Sequence, residues 1–278
     1  MSYMMQNRFF EAEAAFLEVL TNLQKRNEEK PGEYDGLIAR TKNRLGFLYS
    51  QMERIFEAES YMTEAREIYR RLVGENPDAY NKEFSEDLIN LGWLYLNTER
   101  YSESEASFLE SLTVLQDKTN TAFVRLNLGD LYAKTNRYSQ AEENYNEALK
   151  IYRLLAVEEP EEYNHCVLQT LEDLARLHLK QRRFSEAEAN LNEAVNICRS
   201  LSESEDSLIF AGGKLYCLAH IYKERLHDYS RCKELLLESQ AAYEKLNELH
   251  SGEFEDPLNA VRDSLKYLEK DNGSSKKD

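Results

Sequence analysis

Apolar positions recur along the chain as a phrase. A Leu-Gly-x-Leu-Tyr run is followed nine to fourteen residues later by Arg-Tyr/Phe-x-Glu-Ala-Glu. The copies are Leu45–Tyr49 with Arg54–Glu59, Leu91–Tyr95 with Arg100–Glu105, and Leu128–Tyr132 with Arg137–Glu142. A fourth runs Leu174–His178 with Arg183–Glu188, and a fifth, Leu218–Tyr222, continues through Tyr229–Cys232 with one residue inserted. The small residues at the centres, Gly46, Gly92, Gly129, Ala175 and Ala219, are spaced by 46, 37, 46 and 44 residues. A small residue in mid-helix admits a neighbouring helix, which offsets the roughly 1 kcal/mol that Gly costs there. Three residues on, Tyr49, Tyr95, Tyr132 and Tyr222 lie on the same helical face and fill the space beside that contact.

The second run of each copy repeats the device with Ala58, Ser104, Ala141, Ala187 and Cys232. A large residue follows after four (Met62, Phe108, Tyr145, Leu191, Leu236) and another small one after three more (Ala65, Ser111, Ala148, Ala194, Ser239). Small against large, alternating between two antiparallel helices, is a packing code. It predicts units at 31–75, 76–116, 117–158, 159–201 and 202–250, preceded by a truncated unit at 1–30. A capping helix at 257–271 is expected from the Leu258, Val261, Leu265 and Leu268 stripe, with a disordered tail at 272–278. Pro31, Pro77 and Pro160 are expected to stop the helices before them. The third unit lacks such an elbow, and its link near Asp117–Asn120 is expected to change the local geometry.

These residues resemble the tetratricopeptide repeat, and the long period is similar to the kinesin-light-chain type of that family. The resemblance implies an all-α fold, an α-solenoid (right-handed superhelix) of antiparallel helix pairs with about 12–13 helices. Two features depart from the family pattern. Its Trp is replaced by Lys42, Leu88, Arg125, Leu171 and Leu215, and the usual Pro closing the second helix is absent.

Composition agrees. Only 10 Gly and 4 Pro among 278 residues are too few for the turns of a sandwich or barrel, while 18 Tyr and 11 Phe supply a core. The formal net charge of -16 opposes nonspecific binding to nucleic acid or anionic membrane. No run of 18 apolar residues exists, and the N-terminus lacks a signal-peptide apolar region, so a cytoplasmic protein is expected. Cys166, Cys198, Cys217 and Cys232 form no CxxC pair and read as small core residues in a reducing compartment.

No catalytic signature occurs: no HExxH, no GxSxG, no glycine-rich phosphate loop and no calcium loop. Neither an enzyme, a cofactor nor a metal site is expected. His178, in the place of the recurrent Tyr, reads as a packed core residue; His220 and His227 near Cys217 and Cys232 match no zinc-finger spacing. The Glu-Ala-Glu carboxylates are expected at solvent-facing positions where they complement helix dipoles.

Function therefore rests on surface shape. First helices line the inner face of such an array. Positions six, three and two before the small residue, and one after it, are predicted to face inward. They give Arg40, Asn43, Arg44 and Phe47, then Glu86, Ile89, Asn90 and Trp93, then Phe123, Leu126, Asn127 and Asp130. The fourth unit gives Gln169, Glu172, Asp173 and Arg176, and the fifth Gly213, Tyr216, Cys217 and His220. The groove so read is cationic and aromatic at its first unit and acidic at its fourth. By resemblance, Asn90 and Asn127 hold the backbone of an extended peptide; alternatively they bond within the scaffold. Trp93, the only Trp, is either an exposed hot spot beside Phe47 and Phe123 or half-buried between units. The Lys positions of the clamp that grips chaperone tails hold Asn43 and Phe123, so recognition of a free C-terminal carboxylate is not expected.

The leading expectation is a noncatalytic scaffold binding a protein or peptide segment. A second is self-assembly through the incomplete first unit, where the chain starts inside a helix. There the native start lies upstream, a partner covers Phe9, Phe16 and Leu20, or the end is frayed. A helical regulator sensing a small ligand is third.

Overall fold

A computed structural model describes residues 3–115, 117–201, 205–250 and 252–274. Among these there are twelve α-helices and no strand: α1 (Tyr3–Glu29), α2 (Asp35–Gln51), α3 (Ile55–Glu75), α4 (Pro77–Asn97), α5 (Tyr101–Val114), α6 (Lys118–Lys134), α7 (Tyr138–Glu158), α8 (Pro160–Lys180), α9 (Phe184–Ser200), α10 (Glu205–Ile221), α11 (Tyr229–Leu249) and α12 (Glu255–Ser274). A π-helical turn, Tyr222–Leu226, extends α10. The chain divides into two compact units, residues 1–148 and 149–278. In the first, each helix from α1 to α6 packs on the next, and α2, α4 and α6 also meet as next-but-one neighbours. In the second, α8 to α12 pack in the same consecutive manner. None of the described helices is long and apolar enough to cross a membrane.

Pro77 and Pro160 open α4 and α8 at their first turns, where a missing N–H costs nothing. Asn76 caps α4, and Asp117 caps α6 by accepting from the Asn120 N–H at 2.8 Å. α5 stops at Val114, and a hollow of about 800 Å³ lies between its end, Asp117 with the first turn of α6, and the first turns of α4. At the C-terminus α12 runs on to Ser274, past the expected start of a disordered tail; residues 275–278 lie outside the described ones. Leu20 is buried in the first core cluster with Phe16 packed against that cluster, and Phe9 is half-buried. Of the α1 side chains named as awaiting an upstream start, a partner or fraying, Leu20 and Phe16 thus pack within the chain, where α1 meets α2. Tyr3 lies outside the described side chains.

The small-on-large code is physically realised. A Cβ added to Gly46 would stand 2.5 Å from Met62 Cγ, and one added to Gly92 would stand 2.6 Å from Phe108 Cε1. At Gly129 the added atom would enter the Tyr145 ring. Ala58, Ala141, Ala175, Ala187 and Ala219 are fully buried, and Tyr49, Tyr95, Tyr132 and Tyr222 are nearly so. Where serine replaces alanine its hydroxyl is satisfied: Ser104 donates to Gly92 O and Ser239 to Gly212 O, both at 2.8 Å.

Successive pairs are joined by a recurring staple that corrects the reading of the Glu-Ala-Glu segments. The second carboxylate does not face solvent alone; it accepts from two residues of the next unit. Glu13 receives the Tyr49 hydroxyl and Arg54, each at 2.8 Å. Glu59 receives Tyr95 at 3.0 Å and Arg100 at 2.7 Å, and Glu105 receives Tyr132 and Arg137, each at 3.0 Å. Each guanidinium also lies over the tyrosine ring, 4.2–4.4 Å from its centroid. Burial, then the facing carboxylate, pushes the Tyr49 and Tyr132 hydroxyls up to about 12, so they stay donors. The first carboxylates, Glu57 and Glu103, pair locally with Arg54 and Arg100 and do sit in the first turn of their helices.

Two stability predictions follow from these contacts. Gly92→Ala should lower unfolding free energy in urea by about 1–3 kcal/mol, while Gly74→Ala should raise it by up to about 1 kcal/mol, since nothing lies within 4 Å of the added atom. Glu59→Ala should cost about 1–2 kcal/mol by the same measurement because two buried-edge donors lose their acceptor, and the exposed Glu103→Ala should cost clearly less than Glu59→Ala.

Candidate functional site

The stacking of α2, α4 and α6 brings together most of the inward positions of the first three units. Asn43, Arg44, Phe47, Glu86, Ile89, Asn90 and Phe123 line one open hollow of about 440 Å³. Asn120, in the first turn of α6, completes it, and no periodic signal marks that residue. Phe47 and Trp93 expose about half their surface, 51% and 46%, on this face. Large aromatics left open on a rigid helical face are the kind of surface that proteins use for partners.

Trp93 is exposed but not loose. Its indole N–H donates to Asn127 Oδ1 at 2.7 Å, and Asn127 Nδ2 in turn donates to Phe123 O at 2.8 Å. Asn127 is buried, with both ends of its amide engaged. It holds the indole in place from behind, so the scaffold alternative applies there. Asn90 stays half-buried at the hollow and donates through Nδ2 to Asn43 Oδ1 at 3.0 Å. Asn43 passes its own amide hydrogen to Asp87, which has no exposed surface. A relay therefore runs from the hollow into the core: Asn90 to Asn43 to Asp87. The second Asp87 oxygen has no hydrogen-bond partner, and burial pushes this carboxyl up to about 7 against the pull of Asn43 and Arg66.

The remaining predicted residues fall elsewhere. Arg40 is exposed but lines a separate small hollow with Gly36, Tyr69, Tyr80 and Glu83. Asp130 accepts the Tyr145 hydroxyl at 2.7 Å and is engaged in packing the pair. Arg176 belongs to the second compact unit, where it pairs with Glu172 and lies 3.8 Å from Asp173. Glu172 is buried and also takes Lys214 at 3.0 Å, so the acidic character expected at the fourth unit is neutralised internally. His178 is buried as expected, with Asn190 Nδ2 3.2 Å from its Nδ1. Cys198 and Cys232 are core thiols, held up at about 12 and about 11 by burial, but Cys217 is exposed, contrary to the core reading. Among the described residues no three His, Cys, Asp or Glu side chains gather as metal ligands.

Residues 38–78, 88–154 and 167–207 match sequence models of the tetratricopeptide repeat, together more than half of the chain. The chain belongs to the tetratricopeptide repeat family. Solved structures agree in fold. BtubC (BKLC) from P. vanneervenii aligns with a TM-score of 0.67 at 17% identity, over 86% of this chain and 92% of that one. The apo quorum sensor NprR from B. thuringiensis gives 0.59 at 16% identity, over 95% and 72%. A Rap protein complexed with competence and sporulation factor gives 0.53 at 16%, over 98% and 74%. No curated protein matches in sequence. In this tetratricopeptide chain the architecture is held by the small-on-large contacts and the Tyr–Glu–Arg staples.

The Asp87 relay sets a pH prediction. Its carboxyl is held neutral in the folded chain well above the 3.8 of an ordinary aspartate. The unfolded chain therefore binds fewer protons between about pH 4 and 7, and stability falls as pH rises through that window. Asp87→Asn should remove this loss. Urea unfolding at pH 4.5 and 7.5 should show the wild type weakening relative to the variant by on the order of a few kcal/mol.

Proposed function

We propose that the chain is a noncatalytic interaction scaffold that binds an extended peptide or protein segment on the α2–α4–α6 face. One observation carries this reading: Trp93 is half-exposed yet locked by Asn127, beside a hollow walled by Phe47, Ile89 and Phe123. An aromatic fixed before binding loses little side-chain entropy on contact, which is what makes a hot spot effective. Asn90 retains acceptor and donor capacity at the hollow's edge, suited to a peptide group of any sequence. Arg44 stands exposed in the same wall with no ion pair among the described residues, a charge for orienting a segment. The family is built largely of such interaction domains, and the Rap relative was crystallised with a factor bound. The described residues offer no nucleophile–base constellation in this hollow.

Selection of peptides from a random display library on the folded chain tests the proposal. Enriched peptides should bind Trp93→Ala and Phe47→Ser variants at least about tenfold more weakly, with unchanged circular dichroism. Failure of any peptide to enrich, or equal binding by both variants, overturns it.

A further inference from the structure

The second compact unit carries a feature that the proposed peptide face does not use. In units one to four the turn from first to second helix passes through one left-handed residue seven positions after the small residue: Glu53, Glu99, Asn136 and Arg182. In unit five the left-handed residue is His227, eight positions after Ala219. The inserted residue is absorbed as the π-helical turn Tyr222–Leu226, closed by Asp228 N–H donating to Tyr222 O at 3.0 Å. Single π turns inside α-helices concentrate at functional sites because they push side chains out of the regular register.

Here the extra turn carries Arg225 to the rim of a hollow of about 760 Å³. The same hollow is bounded by Lys180 and Arg182 at the end of α8. These three cations are exposed and none has an ion pair among the described residues. Its wall is largely apolar: Leu179, Phe184 and Ile221 line it beside Tyr216, with Phe184 half-exposed, and the fourth cation there, Arg176, is paired with Glu172. A single carboxylate, Glu224, stands among the cations. His220 also lines the hollow, and its Nε2 is buried without a hydrogen-bond partner. In a chain of net charge -16, three unpaired cations around an apolar wall form a local exception.

We propose that this hollow, at the turn edge of units four and five, docks an acidic segment of a protein partner, with carboxylates on Lys180, Arg182 and Arg225 and one apolar side chain against Phe184 and Ile221. A compact inorganic anion would satisfy the rim and leave the apolar wall wet. A wholly apolar segment would leave the cations without gain. Only a segment carrying both kinds of side chain fills both demands, and electrostatic complementarity of this sort sets choice of partner. The site is independent of the α2–α4–α6 face, so each reading stands or falls alone.

Cys217 supplies the reporter, since it lines the hollow and is exposed while Cys198 and Cys232 are buried. The probe is an acetylated, amidated peptide with Glu and Asp on both sides of one Phe. Matched peptides carry Lys for every acid, or Ser for the Phe. The acidic probe should slow iodoacetamide labelling of Cys217 in the full chain, read by mass spectrometry, while Cys166 labelling is unchanged. The combined variant Lys180→Gln, Arg182→Gln, Arg225→Gln removes only exposed charge and should bind the probe at least about tenfold more weakly by fluorescence anisotropy. Trp93→Ala should bind it as the wild type does. The proposal is overturned by unprotected Cys217 at saturating probe, by equal binding of the Lys or Ser peptide, by wild-type affinity in the triple variant, or by loss in Trp93→Ala. It is equally overturned if light scattering shows that a second copy of the chain occupies the hollow and that the triple variant abolishes that dimer.

Discussion

The structure depends on one contact made repeatedly: a side chain with no bulk on the first helix of a pair against a large one on the second. Gly46 on Met62, Gly92 on Phe108 and Gly129 on Tyr145 leave no room for even one added carbon. Close approach at that point fixes the two helices in register, and the flanking Tyr and Leu side chains are buried beside it. Glycine is a poor residue for mid-helix, so its presence three times at the same place means that packing outweighs propensity there. Everything that follows, including which side chains reach the open face, is set by this distance.

Pairs made in this way still have to be joined. The Tyr–Glu–Arg staples do so by taking one carboxylate from each unit and two donors from the next, with the guanidinium stacked on the tyrosine ring. The arrangement satisfies a tyrosine hydroxyl that burial would otherwise leave costly, and it uses partly buried charge that is screened less than a surface pair. Unit five shows how far the device stretches. With one residue inserted, Asp228 takes the arginine's place, Arg231 moves to 6.0 Å from the Tyr222 ring, and Asn192 replaces the carboxylate. The staple is looser where the π turn intrudes, and that is also where unpaired cations gather.

Surface function in such a chain is what packing leaves over. On the α2–α4–α6 face, Asn127 and Asp130 are drawn inward by Trp93 and Tyr145, whereas Phe47, Trp93 and Asn90 remain at the surface. The residues that look equivalent by register are therefore not equivalent in burial or hydrogen bonding. The same sorting neutralises Glu172 in the second compact unit between Arg176 and Lys214 and leaves Lys180, Arg182 and Arg225 without an ion pair among the described residues.

The sequence by itself determined the helix pairs, their order, the small and large partners at each contact and the position of the insertion. These are periodic, local signals: three- and four-residue spacings fix a helical face, and recurrence every 37 to 46 residues fixes the unit. Only the tertiary structure decided that Glu59 answers Tyr95 and Arg100, that Asp87 lies buried beneath Asn43, that Asn120 joins the first hollow and that Cys217 is open. Each of those facts turns on side chains from separate helices meeting at hydrogen-bond distance, and on how much water the meeting leaves. No spacing along one helix encodes that, because desolvation and partner choice belong to the assembled stack.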